Sequence, residues 1–245
     1  MLDFFDTHLK TNKEANKTNS FKHKKIWNLS LKKWDLNEED KIHSYKFGLE
    51  SNGTANVEII DGSLLFNAIG SGCFSIVHDP WRPCKGDGGH LGPNPGLFNR
   101  YIFDKRLDVG VFQTNSFEED IQLSGIPVLE TSVKSDKKSF DICLALSTVN
   151  ENDKTINQFS TGFLRVKNLQ RDEKYDCKIS MHPTNITILK GTKLRLSISA
   201  AAYPAIGVNS GFGDDMHGAP TINHEIITLS FELDKTFMKM TPFFK

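Results

Sequence analysis

From about residue 43 onward, apolar residues recur at every second position in short runs separated by turn formers. Val57 and Ile59 precede the turn pair Asp61-Gly62, Leu107, Val109 and Val111 alternate, and so do Ile121 and Leu123. Ile142, Leu144 and Leu146 face one way while Cys143, Ala145 and Ser147 face the other, and Ile179 with Met181 continues the theme. Leu194, Leu196 and Ile198 are interleaved with Arg195, Ser197 and Ser199, and Ile227, Leu229, Phe231 and Leu233 with Thr228, Ser230, Glu232 and Asp234. Successive side chains of a strand leave on opposite faces, so each run predicts a strand with one buried and one wet face. No helical pattern of about 10–15 residues separates the runs, which argues against parallel βαβ units. The expected fold is mainly β, an antiparallel β-sandwich of jelly-roll type.

Three stretches break the alternation. At the start, Leu2, Phe5 and Leu9 share a 3.6-residue stripe, with Asp3 and Asp6 early and Lys10 late, which predicts a short N-terminal helix. From Lys10 to Lys33 there are eight lysines and one acid, Glu14. That segment reads either as a polybasic surface or as a solvated linker leading to a first strand near Lys25–Leu31; it lacks arginine and has few aromatics, unlike nucleic-acid readers. The third feature is a pair of long Gly-rich loops, His78–Asn99 and Tyr203–Asn223. Loops of this length in a compact domain are usually functional or packed on a neighbour.

Charge and composition narrow the classes. Thirty Lys and Arg balance thirty Asp and Glu, which excludes a globally basic nucleic-acid binder. No run approaches the roughly 18 uncharged apolar residues of a membrane span, and the first residues do not form a secretory signal, so a cytoplasmic protein is expected. Cys73, Cys84, Cys143 and Cys177 are scattered without a C-x-x-C pair; they read as small buried residues, not a disulfide scaffold or zinc site.

Catalytic chemistry is hard to find. No serine has glycine at both minus two and plus two, so the nucleophile elbow is absent. Gly86-Asp87-Gly88-Gly89 is followed by Pro93 and Pro95 in place of the helix that a phosphate cradle needs. His224-Glu225 begins like a zincin helix, but Thr228 stands at the second histidine and the segment alternates as a strand. Asp214, Asp215 and His217 could offer hard ligands to calcium, at a spacing that matches no EF-hand. No catalytic, metal or cofactor residue is assigned, and no cofactor is expected.

Asp79-Pro80-Trp81-Arg82-Pro83-Cys84-Lys85-Gly86-Asp87-Gly88-Gly89 resembles a D-P-x-x-P-x-x-x-G-G signature. Four further blocks follow in order: Arg106-Leu107-Asp108-Val109 with Asp120–Gly125, Thr161–Arg165, His182-Pro183-Thr184 with Lys190–Ser199, and Tyr203-Pro204 with Asn209-Ser210-Gly211. Together they resemble the C-terminal jelly roll of the X-Pro dipeptidyl-peptidase and cocaine-esterase (CocE/NonD) hydrolase family. Phe4-Phe5-Asp6-Thr7-His8-Leu9-Lys10 resembles a W-F-D-x-x-L-K-G helix that closes the family's α/β-hydrolase domain. Departures include Thr11 for glycine, Thr161 for aspartate, Thr192-Lys193 for His-Arg and Ala202 for a polar residue before Tyr203.

The resemblance implies a division at about residue 40: residues 1–40 as the tail of a hydrolase domain and crossover, residues 41–245 as the jelly roll. It also implies that the Ser-His-Asp triad lies upstream on other sequence, so this chain alone is inactive. Its partner would be an α/β-hydrolase catalytic half, acting on ester or peptide substrates, with the jelly roll walling the substrate pocket; neither nucleic acid nor membrane is expected as a partner. Trp81, Phe98 and Tyr203 are the candidate apolar anchors of the domain contact. Because jelly rolls of this type resemble galactose-binding domains, an independent carbohydrate- or peptide-binding module remains the alternative.

Overall fold

A computed structural model describes residues 25–36, 45–89, 94–150, 155–212 and 221–242. The expected N-terminal helix and the Asp214/Asp215/His217 loop lie outside the described residues. Among the described residues there are fourteen strands: β1 (Lys25–Asn28), β2 (Lys33–Leu36), β3 (Lys46–Glu50), β4 (Ser63–Phe66), β5 (Cys73–His78), β6 (Phe98–Asn99), β7 (Val109–Gln113), β8 (Ile121–Ser135), β9 (Phe140–Asn150), β10 (Thr155–Val166), β11 (Lys174–Ser180), β12 (Thr184–Ile188), β13 (Lys193–Ser199) and β14 (Ile227–Thr241). Among the described residues the helical content is one 3-10 turn, Phe103–Lys105.

The β-sandwich expected from the alternation is present. Hydrogen bonds run through β11-β8-β14-β3-β4-β7-β13-β9-β10-β6, with β12 added on β8 and β5 on β14. Among the described strands the pairings are antiparallel except the single Ser63–Gln113 match between β4 and β7. The length of β8 and β14 explains how one ladder serves two layers. In β14, Ile227–Glu232 pairs with β5, Phe237–Lys239 pairs with β3, and the register shifts between Glu232 and Phe237. Such an irregularity bends and twists a strand. Phe74 on β5 stacks on Phe231 of β14 (4.7 Å) and meets Phe112 of β7 edge-on (5.0 Å), so these three rings join strands distant along the ladder. Around them Phe47, Leu49, Leu123, Leu129, Phe140, Ile142, Leu146, Ile198 and Leu229 form one continuous core. Burying side chains of this size contributes about 1.5–3 kcal/mol each.

Hairpin β1–β2 is tied to β12: Leu29 N–H donates to the Asn185 carbonyl (2.9 Å) and Asn28 Nδ2 to Thr187 Oγ1 (2.9 Å). Trp27 and Trp34 pack edge-on at 5.5 Å. Three readings of the alternation need correction. Val57 and Ile59 lie in turns because the Asp61 carboxylate accepts from the Asn52 N–H, the Thr54 N–H and Asn52 Nδ2, each at 3.0 Å, and so gathers the backbone into a loop. His224 precedes β14 in a turn, its Nδ1 accepting from the Thr221 N–H at 3.0 Å. Most consequentially, β9 and β13 have no wet face. Cys143, Ala145, Ser147, Arg195, Ser197 and Ser199 are all buried.

Candidate functional site

The second face of β9 and β13 is covered by the described parts of the two long loops, residues 78–89, 94–99 and 203–212, and by the segment of Arg100 and Asp104 that follows the first. The two loops are stitched to each other where Tyr203 N–H donates to the Cys84 carbonyl and Gly86 N–H to the Tyr203 carbonyl, both at 2.9 Å. Between this roof and the sheet lies a cavity of about 290 Å³. Its floor comes from Cys143, Leu144 and Ala145 of β9, Gln158, Thr161, Gly162 and Phe163 of β10, and Ser199 of β13. Ser180, Met181 and His182 close one side, and Lys85–Gly88 with Ala201, Ala202, Ala205 and Ile206 form the roof.

The glycines of the first loop are required by how closely it approaches the sheet. A Cβ on Gly88, which sits at φ +76°, would meet Phe98 Cβ at 2.5 Å and Gln158 Nε2 at 2.7 Å; one on Gly86 would lie 2.2 Å from the Ala202 carbonyl oxygen. Only glycine allows that backbone so near its neighbours.

Beside the cavity runs a buried polar network. The Asp104 side chain is fully buried and accepts from Arg100 Nε (3.1 Å), Arg195 Nη1 (3.2 Å) and Ser197 Oγ (2.8 Å). Arg100 Nη1 also donates to Gln158 Oε1 (2.7 Å), and Gln158 Nε2 donates to the Asp87 carbonyl (3.2 Å), hooking the roof loop to β10. Arg195 Nη2 reaches Gln113 Oε1 on β7 at 2.8 Å. A charge can leave water only when paired and hydrogen-bonded, and here Asp104, Arg100, Arg195 and Gln158 each serve more than one partner.

A second node pins the other loop. Asp141 on β9 is gripped by Arg165 Nε (2.8 Å) and Nη2 (2.7 Å) of β10 and by Asn209 Nδ2 (2.8 Å), while Arg165 also donates to the Gly207 carbonyl. Asn209 Oδ1 accepts from the Gly211 N–H at 2.9 Å. A third node holds the entry to the first loop: Arg106 pairs with both Asp108 oxygens at 2.7 Å and donates to the Arg82 carbonyl, and Asp79 Oδ1 accepts from the Trp81 N–H at 2.9 Å.

These groups fit binding and rigidity better than bond-breaking. Burial pushes the Cys84 thiol up and the Cys143 thiol well up, so both stay protonated and weakly nucleophilic. Cys177 is pushed up to about 12 by burial, with Asp176 adding to the shift. Cys73 is exposed and Cys177 half-buried, so uniform burial of the four cysteines does not hold.

The candidate anchors fall on the roof, and the structure brings their loops together rather than their rings. Phe98 stacks on Phe103 at 5.4 Å, Tyr203 is half-buried beside the Cys84–Gly86 stitch, and Trp81 remains 51% exposed. Sequence reasoning missed Arg100, Asp104 and Gln158 altogether and placed Arg195 in water. The available signal was an arginine set inside an apolar strand, Leu194-Arg195-Leu196, where a long donor fork is unusual unless something covers it.

Residues 11–235 match the family model described as the X-Pro dipeptidyl-peptidase C-terminal non-catalytic domain. The chain belongs to that family. The blocks on which the resemblance rests are the nodes just described: the D-P-x-x-P-x-x-x-G-G stretch forms the roof, Arg106-x-Asp108 its clasp, Arg165 and Asn209 the Asp141 clamp, and Arg195 the Asp104 network. Among solved structures, an aminopeptidase from a marine-sediment Thaumarchaeota archaeon superposes with TM-score 0.73 at 15% identity, over 88% of this chain and 40% of the other. An α-amino acid ester hydrolase gives 0.72 at 15% identity, over 89% and 40% respectively. A CocE/NonD family hydrolase from Staphylococcus aureus gives 0.58 at 13% identity, over 98% and 44%. At such identities the likeness establishes the fold, and the domain spans about 40% of the first two chains. The sequence has no significant match among curated proteins. Among the described residues no helix is long and apolar enough to cross a membrane.

Proposed function

We propose that this chain is the accessory portion of a serine hydrolase of the X-Pro dipeptidyl-peptidase and acyl esterase type, and that its two roof loops dock on an α/β-hydrolase catalytic half and wall the substrate pocket. The observation that carries this reading is the match of residues 11–235 to a non-catalytic domain. The structure supports it physically. The roof is held by three polar nodes and carries Trp81 (51% exposed), Leu97 (56%) and Ile102 (75%) outward, an apolar fringe on a rigid support. Rigid loops bearing aromatic anchors are suited to shaping a pocket and excluding water from it. Residues 1–40 would then lead in from the catalytic half, with hairpin β1–β2 as the first element laid on the sandwich. The four free cysteines favour a reducing, cytoplasmic setting.

The test is reconstitution. The chain alone should hydrolyse neither nitrophenyl esters nor X-Pro-arylamides above blank, and mixing it with an α/β-hydrolase domain encoded upstream should restore turnover. Trp81→Ala should weaken that association with no change in the thermal midpoint of the isolated chain. Turnover by the chain alone, abolished by a serine-directed reagent, would overturn the assignment.

A further inference from the structure

We propose that the cavity beneath the two loops is itself a binding site, for a small carboxylic acid with an apolar body about the size of one acylated amino acid. This goes beyond docking, because the ligand would be held by this chain alone.

Three observations converge on that chemistry. The first is the guanidinium of Arg100, whose side chain is 6% exposed and which lines the cavity. Its hydrogen bonds to Asp104 and Gln158 use Nε and Nη1, which leaves the Nη2 donors for an occupant. A guanidinium presents planar N–H donors that match a carboxylate, and such charge-assisted bonds are about twice as strong as neutral ones. The second is local charge. Among the described residues that line the cavity, Lys85 and Arg100 are cationic and Asp87 is acidic, and Asp87 Oδ1 already accepts from Asn94 Nδ2 at 2.9 Å. This described lining is cationic by one at a site partly shielded from water, where electrostatic attraction is strengthened. The third is shape. Beyond the arginine the apolar lining is Ala145, Phe163, Ala205 and Ile206, and the volume of about 290 Å³ stands at the small end of the range for small-molecule sites. A ligand with a carboxylate at one end and an aliphatic or aromatic group at the other satisfies both walls.

The probes are N-acetyl-L-phenylalanine, its primary amide and D-galactose, titrated calorimetrically into the 245-residue chain. The acid should bind saturably and the amide at least about tenfold more weakly, since the amide lacks the charge that the guanidinium recognises. Ala205→Phe, which fills the cavity without touching the Asp104 network, should abolish binding of the acid while leaving the thermal midpoint unchanged. Arg100→Lys should weaken the acid about tenfold and leave the weak amide binding nearly unchanged, a split that a purely structural role would not produce. Equal affinity for acid and amide, binding of galactose in preference to the acid, or unchanged acid binding in a folded Ala205→Phe chain would each overturn the proposal. None of these outcomes bears on docking to a catalytic half, which is read separately by reconstitution.

Discussion

Strands β5 and β14 turn Ser75, Val77, Thr228 and Ser230 away from the core, and that face is open or half-open to water. Strands β9 and β13 turn Cys143, Ala145, Arg195, Ser197 and Ser199 away from the same core, and every one of them is buried. On β5 the outer hydroxyls need nothing more than each other and solvent: Ser75 Oγ and Ser230 Oγ lie 2.8 Å apart at the surface. On β13 the outer groups are under a loop roof, so each must find a protein partner. The price of covering a sheet face with irregular chain is the Asp104 network. Two sheet faces with similar alternation thus differ by what lies over them, and the covered one has the cavity.

The most severe way to break this comparison is to remove the shared carboxylate. Asp104→Ala leaves Arg100 and Arg195 buried without their common partner, and losing one member of a buried charge set costs about 3–5 kcal/mol. Equilibrium denaturation should show that loss. Ser197→Ala removes one donor to the same carboxylate and should cost less, about 1.5–3 kcal/mol, the range for hydrogen bonds to charged groups.

Much of the architecture was legible because period-two alternation reports the face toward the common core. Ile227, Leu229, Phe231 and Leu233 are all buried, as are Leu194, Leu196 and Ile198. What alternation does not encode is whether the other face is covered. Ser197 and Ser230 look alike in a sequence, yet one is 1% exposed and the other half-buried. That depends on a segment 93 residues away along the chain for Ser197, whose covering carboxylate is Asp104. The nodes were legible only through resemblance, as blocks without a mechanism. Asp79, Arg106, Arg165, Asn209 and Gly86 stood within those blocks; their roles as cap, clasp, clamp and close approach needed coordinates. Val57 and Ile59 mark the opposite failure, where apolar alternation yields to a carboxylate that organises the backbone around itself.

A gentler cut is Asn209→Ala. It removes the link from the second loop to Asp141 and the acceptor for the Gly211 N–H, while Arg165 keeps Asp141 paired. The expected global cost is about 1–2 kcal/mol. Limited proteolysis sharpens the test, because cleavage should accelerate within residues 203–212 and not at the β5–β14 edge. Uniform acceleration would mean that the clamp supports the whole sandwich and not the roof alone.

His78 sits where the two regions meet, at the end of β5 and the start of the first loop, and is buried with Nε2 unpartnered among the described residues. Burial lowers its pKa below 6.5, outweighing Asp108, Asp141 and Asp79, which pull it up, and with Arg106 adding to the depression. The unfolded chain therefore binds a proton that the folded chain resists. Its contribution to stability is undiminished above pH 6.5 and declines as pH falls from there toward the depressed folded value. His78→Gln should flatten the fall in thermal midpoint between pH 7.5 and about 5.5. An unaltered slope would move the acid sensitivity to another group.

The smallest expected effect gives the control for the comparison. Ser75→Ala makes the same chemical change as Ser197→Ala, on an outward strand position whose hydroxyl meets Ser230 Oγ at the surface. Water can replace the lost partner of Ser230, so the change should stay within about 0.5 kcal/mol. The ratio of the two serine deletions then measures what the roof does to a hydroxyl beneath it, with side-chain volume and strand context held alike. If Ser75→Ala costs as much as Ser197→Ala, covering the sheet adds nothing to the value of a hydrogen bond on it. The Asp104 network would then be ordinary surface polarity that happens to lie under a loop.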